Sequence, residues 1–128
     1  MFGRRTVLIG GAAAALLGPH QVFSEEERSK MYGLIGKFSS LPGKRAELID
    51  AILGSGTMPG CLIFTVSEDV KDPDAIWIHE VWTDKAAHDA SLDLPEVKAS
   101  IARGRPLIAG FEPAAELNVV GGIGLKSA

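Results

Sequence analysis

The amino-acid sequence predicts an α+β fold in which four strands and two helical regions follow the order β-α-β-β-α-β. Two observations lead to this prediction. First, four segments are rich in β-branched and aromatic residues and in alternating apolar residues, as strands are. Second, apolar residues recur at helical spacing between the first and second of these segments and between the third and fourth. The chain has 128 residues, of which 46% are hydrophobic and 23% charged, and this length suits a single domain.

The first strand and the first helix are predicted from residues 31–53. Residues 31–39 (MYGLIGKFS) alternate loosely and suit a strand. The segment Leu41-Pro42-Gly43-Lys44 breaks this strand and starts a helix, because proline is tolerated near a helix N-terminus. The apolar stripe of this helix consists of Leu48, Ile49, Ile52 and Leu53.

The next two strands are predicted to form an antiparallel hairpin. Residues 61–68 (CLIFTVSE) and 75–83 (AIWIHEVWT) are both rich in β-branched and aromatic side chains. Between them stands Asp72-Pro73-Asp74, which is typical of a turn.

Two short helices are predicted after the third strand. Thr83 or Asp84 can cap the first of them, which covers residues 85–92. Pro95 stands at the first position of the second helix, where the backbone N–H that proline lacks would have no partner within the helix. That helix ends at Gly104. Its side chains predicted to face inward are Val97, Ile101 and Ala102.

The last strand is predicted within residues 107–120, with an interruption at Pro113. The resulting element order is the ferredoxin-like arrangement, a four-stranded antiparallel sheet with helices on one face. Both faces of the third strand are apolar, with Ile76, Ile78 and Trp82 on one face and Trp77 and Val81 on the other. A second copy of the chain is the simplest cover for the face without helices. We therefore predict a homodimer with two sheets packed face to face.

The first 30 residues are interpreted as an export signal followed by a linker. Arg4 and Arg5 precede an apolar run at residues 7–18, which is shorter than the roughly 20 residues of a permanent membrane anchor. This pattern resembles a twin-arginine signal and predicts export to the periplasm, with cleavage best placed before Glu25. If the run is instead a core helix or a tail, the protein is cytoplasmic. Residues 24–30 are predicted to be a solvated linker, and residues 31–128 the folded domain.

Composition excludes several classes of function. The net charge of −3 offers no electrostatic footprint for nucleic acid or anionic lipid. A single cysteine excludes an internal disulfide framework and a thiolate cluster for zinc or iron–sulfur. Cys61 itself is typical of an inert core residue. The sequence has no P-loop and no G-x-S-x-G or H-E-x-x-H pattern.

The residues with the most chemical potential lie around the third strand and the following helix. Trp82 offers an aromatic surface for a flat organic ring, and His79 or His88 could take a proton from a phenolic hydroxyl. Two histidines and Glu80 could instead bind a metal ion, but His79 and Glu80 point to opposite faces of one strand, which disfavours a shared ion. A purely structural interpretation remains open: Trp82 in the core, Glu80 in an ion pair and His88 on a helix surface.

Residues 31–125 resemble the antibiotic biosynthesis monooxygenase family. The resemblance rests on the segments GLIGKF, LPGKRAEL, MPGCLIFTVSED, IWIHEVWTDKAAHDASL and LPEVKASIARGRPLIAGF. The run EVWTDKAAH, which ends at His88, is the most specific of these. The resemblance implies a dimeric α+β barrel that oxygenates quinol or polyphenol substrates with molecular oxygen and without metal, flavin or haem. In that chemistry the deprotonated substrate itself reduces oxygen.

The same resemblance covers two of the predicted site residues. Trp82 matches the tryptophan at the strand end, and His88 matches the histidine of the most similar subgroup. The predicted catalytic residues are His79 and His88, and the predicted substrate-binding residues are Trp82, Glu80, Phe38, Phe64 and Arg105. Ser91 stands where many relatives have a histidine and the haem-degrading branch a tryptophan, so haem degradation is not expected. The alternative is a non-catalytic binding or stress-response dimer that uses the same cavity.

Overall fold

The computed structural model describes residues 23–125, which form one four-stranded antiparallel sheet with helices packed against it. The predicted export signal falls on residues 1–22 and lies outside the described residues. The strands are β1 (Tyr32–Ser40), β2 (Cys61–Glu68), β3 (Ala75–Trp82) and β4 (Ile108–Asn118). The helices are α1 (Glu25–Lys30), α2 (Arg45–Leu53), α3 (Lys85–Ser91) and α4 (Pro95–Gly104), and a 3-10 turn (Arg105–Leu107) leads into β4.

The strand order is β2-β3-β1-β4, so the predicted ferredoxin-like fold is confirmed. The sheet is open, because β2 and β4 are edge strands. The predicted hairpin joins β2 to β3, and its loop is closed by Asp69, whose carboxylate accepts the backbone N–H groups of Lys71 and Asp72. The register of β1 and β4 shifts where Ala115 and Pro113 pair with consecutive β1 residues. Pro113 therefore sits at a bulge in an edge strand, as its missing N–H requires.

The core between the sheet and the helices has two adjoining clusters. Leu48 of α2 packs with Ile76 and Ile78 of β3. Met58 and Val97 pack with Trp82 at the other end of β3. All six side chains are at most 7% exposed, so β3 is the centre of the fold.

Three of the side chains predicted to face inward are exposed, and those predictions are wrong. Leu53 is 56% exposed because it is the last residue of α2. Ile101 is 38% exposed, and Ala102 is exposed too, because α4 turns a different stripe to the interior. That stripe is formed by Val97, Ser100 and Gly104, at spacings of three and four residues.

The segment predicted to be a solvated linker is a helix, and this is a correction. Ser24 caps α1: its hydroxyl accepts the Glu27 N–H, and the Glu27 carboxylate accepts the Ser24 N–H. Phe23, just before the cap, is buried against Met31, Val81 and Leu125. Cleavage before Glu25 would remove Phe23 from this cluster together with the Ser24 cap.

The sheet face opposite α2 and α4 is only partly covered by the described residues. The cluster around Phe23 and Leu125 covers Val81 at one end of this face. Trp77 remains partly exposed further along β3, and His79 between them is exposed. Lys37 of β1 places its Nζ 5.6 Å from the centre of the Trp77 ring. None of the described helices is long and apolar enough to cross a membrane.

Candidate active site

A cavity of about 350 Å³ lies between the sheet and helices α2, α3 and α4. Most of its wall is apolar. The polar side chains that line it are Ser55, Glu80, His88, Ser91, Ser100 and Arg105. An apolar cleft with a few polar groups is the usual form of a small-molecule site.

The structure brings six of the seven predicted site residues together around this cavity. Those six are Phe38, Phe64, Glu80, Trp82, His88 and Arg105. His79 is not among them, because consecutive side chains of a strand point to opposite faces and Glu80 lies on the cavity side. His79 pairs with Ile35 and Thr65 across the sheet and is exposed on the other face.

Trp82 belongs both to the core and to the wall of the cavity. It is 1% exposed, and its indole Nε1 donates a hydrogen bond to Glu80 Oε1 at 2.8 Å. Among the described residues, Glu80 forms no ion pair with a lysine or arginine; its hydrogen-bond partner is the Trp82 indole. The ring of His88 meets the Trp82 indole edge to face, with 5.5 Å between centroids and 85° between planes. The Trp82 contacts therefore fix the positions of both Glu80 and His88.

His88 is oriented by the residues around it on α3. Asp84 caps the helix by accepting the Ala87 N–H at 2.8 Å. His88 Nδ1 lies 2.9 Å from Asp89 Oδ1, and Lys85 Nζ donates to Asp89 Oδ2 at the same distance. The hydrogen bonds from Lys85 and His88 hold the pKa of Asp89 below its usual range. Since a carboxylate can only accept, neutral His88 has its proton on Nδ1 and a free lone pair on Nε2.

Tyr32 is a neighbour of His88 that the sequence pattern does not single out. The two ring centroids are 5.5 Å apart, and the phenolic hydroxyl donates to Glu116 Oε2 at 2.5 Å. Tyr32 pairs with Trp82 across β1 and β3. The only sequence signal for this position is strand alternation, which does not give the register between two strands.

The titration of Tyr32 provides a direct test of this arrangement. Burial and the Glu116 carboxylate raise the pKa of Tyr32 from 10 to about 12. The protonated tyrosine therefore stabilises the fold fully below pH 10, and this contribution is lost as the pH rises toward 12. Tyr32 is the only tyrosine of the chain, so the tyrosinate absorbance reports it alone. We expect a midpoint near 12 for the folded protein and a lower one for Glu116→Gln. A midpoint of 10 in the folded wild type would contradict the hydrogen bond.

A second cavity, of about 420 Å³, adjoins the first on the β4 side of the sheet. The two cavities have Phe38, Ile78, Glu80 and His88 in common. Phe111 of β4 is 53% exposed and packs against Phe38, with 4.5 Å between ring centroids. His88 and Glu80 thus stand where the two spaces meet, accessible from both.

Two features of the described residues concern metal ions and thiols. They contain no group of three or more His, Cys, Asp or Glu side chains that could hold a metal ion. Burial and the nearby Glu80 carboxylate raise the pKa of Cys61 to about 11. Its thiol therefore stays protonated at neutral pH, in accord with an inert core cysteine. His88, with Nδ1 held by Asp89, is a residue of this cavity that can accept a proton.

Comparisons with known proteins agree with the fold. Residues 31–103 match the family model described as antibiotic biosynthesis monooxygenase. A candidate antibiotic biosynthesis monooxygenase from Chloroflexus aurantiacus is 52% identical, with a TM-score of 0.73 over 75% of this chain and 99% of that one. No protein of curated function is similar enough to count as a match.

More distant structures have the same fold. A candidate antibiotic biosynthesis monooxygenase from Caulobacter crescentus is 21% identical, with a TM-score of 0.63 over 74% of this chain and 94% of that one. A conserved protein from Methanosarcina mazei is 15% identical, with a TM-score of 0.63 over 75% and 99% of the two chains. At these identities the likeness concerns the fold alone.

Proposed function

Because the chain belongs to the antibiotic biosynthesis monooxygenase family, we propose that it is a cofactor-independent monooxygenase of quinol-like or polyphenolic aromatic molecules. The family and the 52% identical relative support a monooxygenase-like role. The substrate class is our proposal. The observation that carries it is a histidine oriented by a carboxylate, His88 with Asp89 at 2.9 Å, on the wall of an apolar aromatic cavity.

The proposed reaction needs no electrons from outside the substrate. A hydroquinone and one O₂ give a hydroxyquinone and one water. One oxygen atom forms a new bond to a ring carbon, the O–O bond breaks, and the other oxygen leaves as water. The quinol supplies all four electrons and is oxidised, while O₂ is reduced. The protein must bind the ring, remove a proton and exclude water from the reacting carbon.

Residues of the cavity can bind the ring and remove the proton. His88 Nε2 is the proton acceptor, because Nδ1 is engaged by Asp89. Phe38 and Phe64 offer apolar ring surface on the sheet side. Arg105 is exposed at the cavity, where its charge can attract an anionic phenolate. A phenolate formed at His88 is richer in electrons than the phenol and so reduces oxygen more readily.

Oxygen consumption by the purified, chelator-treated protein with a panel of hydroquinones tests this proposal. We expect uptake above the autoxidation background, and with ¹⁸O₂ one labelled atom in the product and one in water. Dimethyl ethers of the same quinols are matched controls, since they have no proton for His88 to remove. Uptake that does not exceed the background for any quinol would overturn the enzymatic proposal. Quinol binding without turnover would instead favour the non-catalytic binding protein.

We also propose that two copies associate through the sheet face opposite α2 and α4, beyond the part that the Phe23 cluster covers. This face is open around Trp77 and His79, and Thr65 beside His79 is exposed on it. Thr65→Asp should give a monomer by light scattering, because association would bury the new charge. Val70→Asp is the matched control: Val70 is 97% exposed in the hairpin loop, so this variant should stay dimeric. A wild-type protein that is monomeric at micromolar concentration would refute the dimer.

A further inference from the structure

Ser100 of α4 is a buried polar residue without an evident structural role. It is 6% exposed, and its Oγ has no hydrogen-bond partner among the described residues. The other buried serines there do have partners: Ser40 donates to the Leu41 carbonyl, Ser55 to that of Ile52 and Ser91 to that of His88. A buried hydroxyl without a partner destabilises the fold, so a serine at this position needs a physical reason.

The position of Ser100 supplies that reason. It lines the 350 Å³ cavity on the helix side, one turn after Val97 and one turn before Gly104. Val97 packs with Met58 and Trp82, whereas the Gly104 backbone approaches Leu48. Ser100 therefore lies midway along the cavity wall, between the Trp82 end and the Leu48 end. Its Oγ exposes less than 1 Å², and because no hydrogen bond holds it, rotation about χ1 would bring it to a polar ligand group in this part of the cavity.

We propose that Ser100 Oγ hydrogen-bonds to a second oxygen of the bound aromatic ligand and selects dioxygenated over mono-oxygenated rings. For the ligand class, this inference rests on the function proposed above. One hydroxyl of the ligand meets His88, and the oxygen on the opposite side of the same ring meets Ser100. A cavity of about 350 Å³ accommodates a two-ring ligand of this kind. A site built to hydrogen-bond a substrate oxygen discriminates against the analogue that lacks it.

Anaerobic binding of two probes to the full chain tests this selection. The probes are 1,4-dihydroxynaphthalene and 1-naphthol, which differ by one hydroxyl. Ser100→Ala should weaken binding of the dihydroxy probe about tenfold. It should leave 1-naphthol binding within about twofold, because that probe has no second oxygen.

Thermal stability gives a second readout, independent of ligand and of activity. Ser100→Ala should raise the Tm by about 4 °C, because it removes a buried hydroxyl that has no partner. Ser40→Ala is the matched control. Ser40 is 3% exposed, lies outside the cavity, and donates to the Leu41 carbonyl at 2.8 Å. It should lower the Tm and leave both probe affinities unchanged.

The outcomes separate this inference from the proposed function. If Ser100→Ala weakens the binding of both probes equally, or of neither, Ser100 does not select the second oxygen. The monooxygenase proposal is then unaffected. If the probe preference depends on Ser100 but no quinol is turned over, the selection stands and the enzymatic proposal falls. Failure of the wild type to bind the dihydroxy probe would overturn the inference and the assigned ligand class together.

Discussion

Replacement of His88 by alanine is expected to lower quinol-dependent oxygen consumption by about 10²- to 10⁴-fold, the usual contribution of a general base. The reason is positional: His88 is the one histidine among the described residues on the wall of the cavity, and Asp89 fixes its tautomer. The side chain is 19% exposed and contacts the Trp82 and Tyr32 rings, so its loss should also lower the Tm, although the protein should remain folded. The measurement is the initial rate of oxygen uptake at saturating quinol, with the Tm recorded beside it.

Two further substitutions distinguish a base at His88 from a base at His79. Asp89→Asn removes the carboxylate that holds Nδ1, and we expect a smaller loss of kcat than in His88→Ala, because the base remains but its orientation is no longer fixed. His79→Ala changes the histidine on the opposite sheet face and should retain turnover. If His79→Ala abolishes turnover in a protein that is still folded, the assignment of His88 as the base is wrong.

Much of the site was predictable because its residues are close together in the sequence. Glu80, Trp82 and His88 lie within nine residues, on one strand and the first turn of the next helix. Strand alternation alone places Glu80 and Trp82 on one face and His79 on the other, as observed. The fold was predictable for a related reason. Apolar residues that alternate predict a strand, and apolar residues at helical spacing predict a helix, in each case from the residues of that element alone. Short connections then limit how the elements can pair.

The residues that could not be predicted depend on contacts between distant elements. Tyr32 reaches His88 only through the pairing of β1 with β3, and the register of this pair cannot be predicted from the sequence of either strand alone. The importance of Ser100 depends on its having no partner among the described residues, which only the folded environment reveals. The helix at residues 25–30 is a different case. Its capping box, Ser24 with Glu27, is visible in the sequence, but the charges around it also suit a solvated segment.

Trp82→Ala is expected to lower the free energy of unfolding by about 3–5 kcal/mol, the range for truncation of a buried aromatic residue. Trp82 is 1% exposed and packs with Met58 and Val97. Its removal leaves a void beside the cavity, and the Glu80 carboxylate loses the indole N–H that it accepts at 2.8 Å. The measurement is urea unfolding followed by fluorescence, for which Trp77 remains as the reporter, since the chain has two tryptophans.

Trp82→Phe separates the packing contribution from the hydrogen bond. Phenylalanine keeps most of the apolar contacts but cannot donate to Glu80, so we expect a loss of about 1.5–3 kcal/mol, the value of a hydrogen bond to a charged group. The free energy of unfolding should therefore decrease from the wild type to Trp82→Phe, and further to Trp82→Ala. A loss below about 1 kcal/mol for Trp82→Ala would mean that the surrounding side chains collapse into the void. In that case Trp82 would not be the residue that fixes the positions of Glu80 and His88. Another residue would then have to hold the His88 side chain in place.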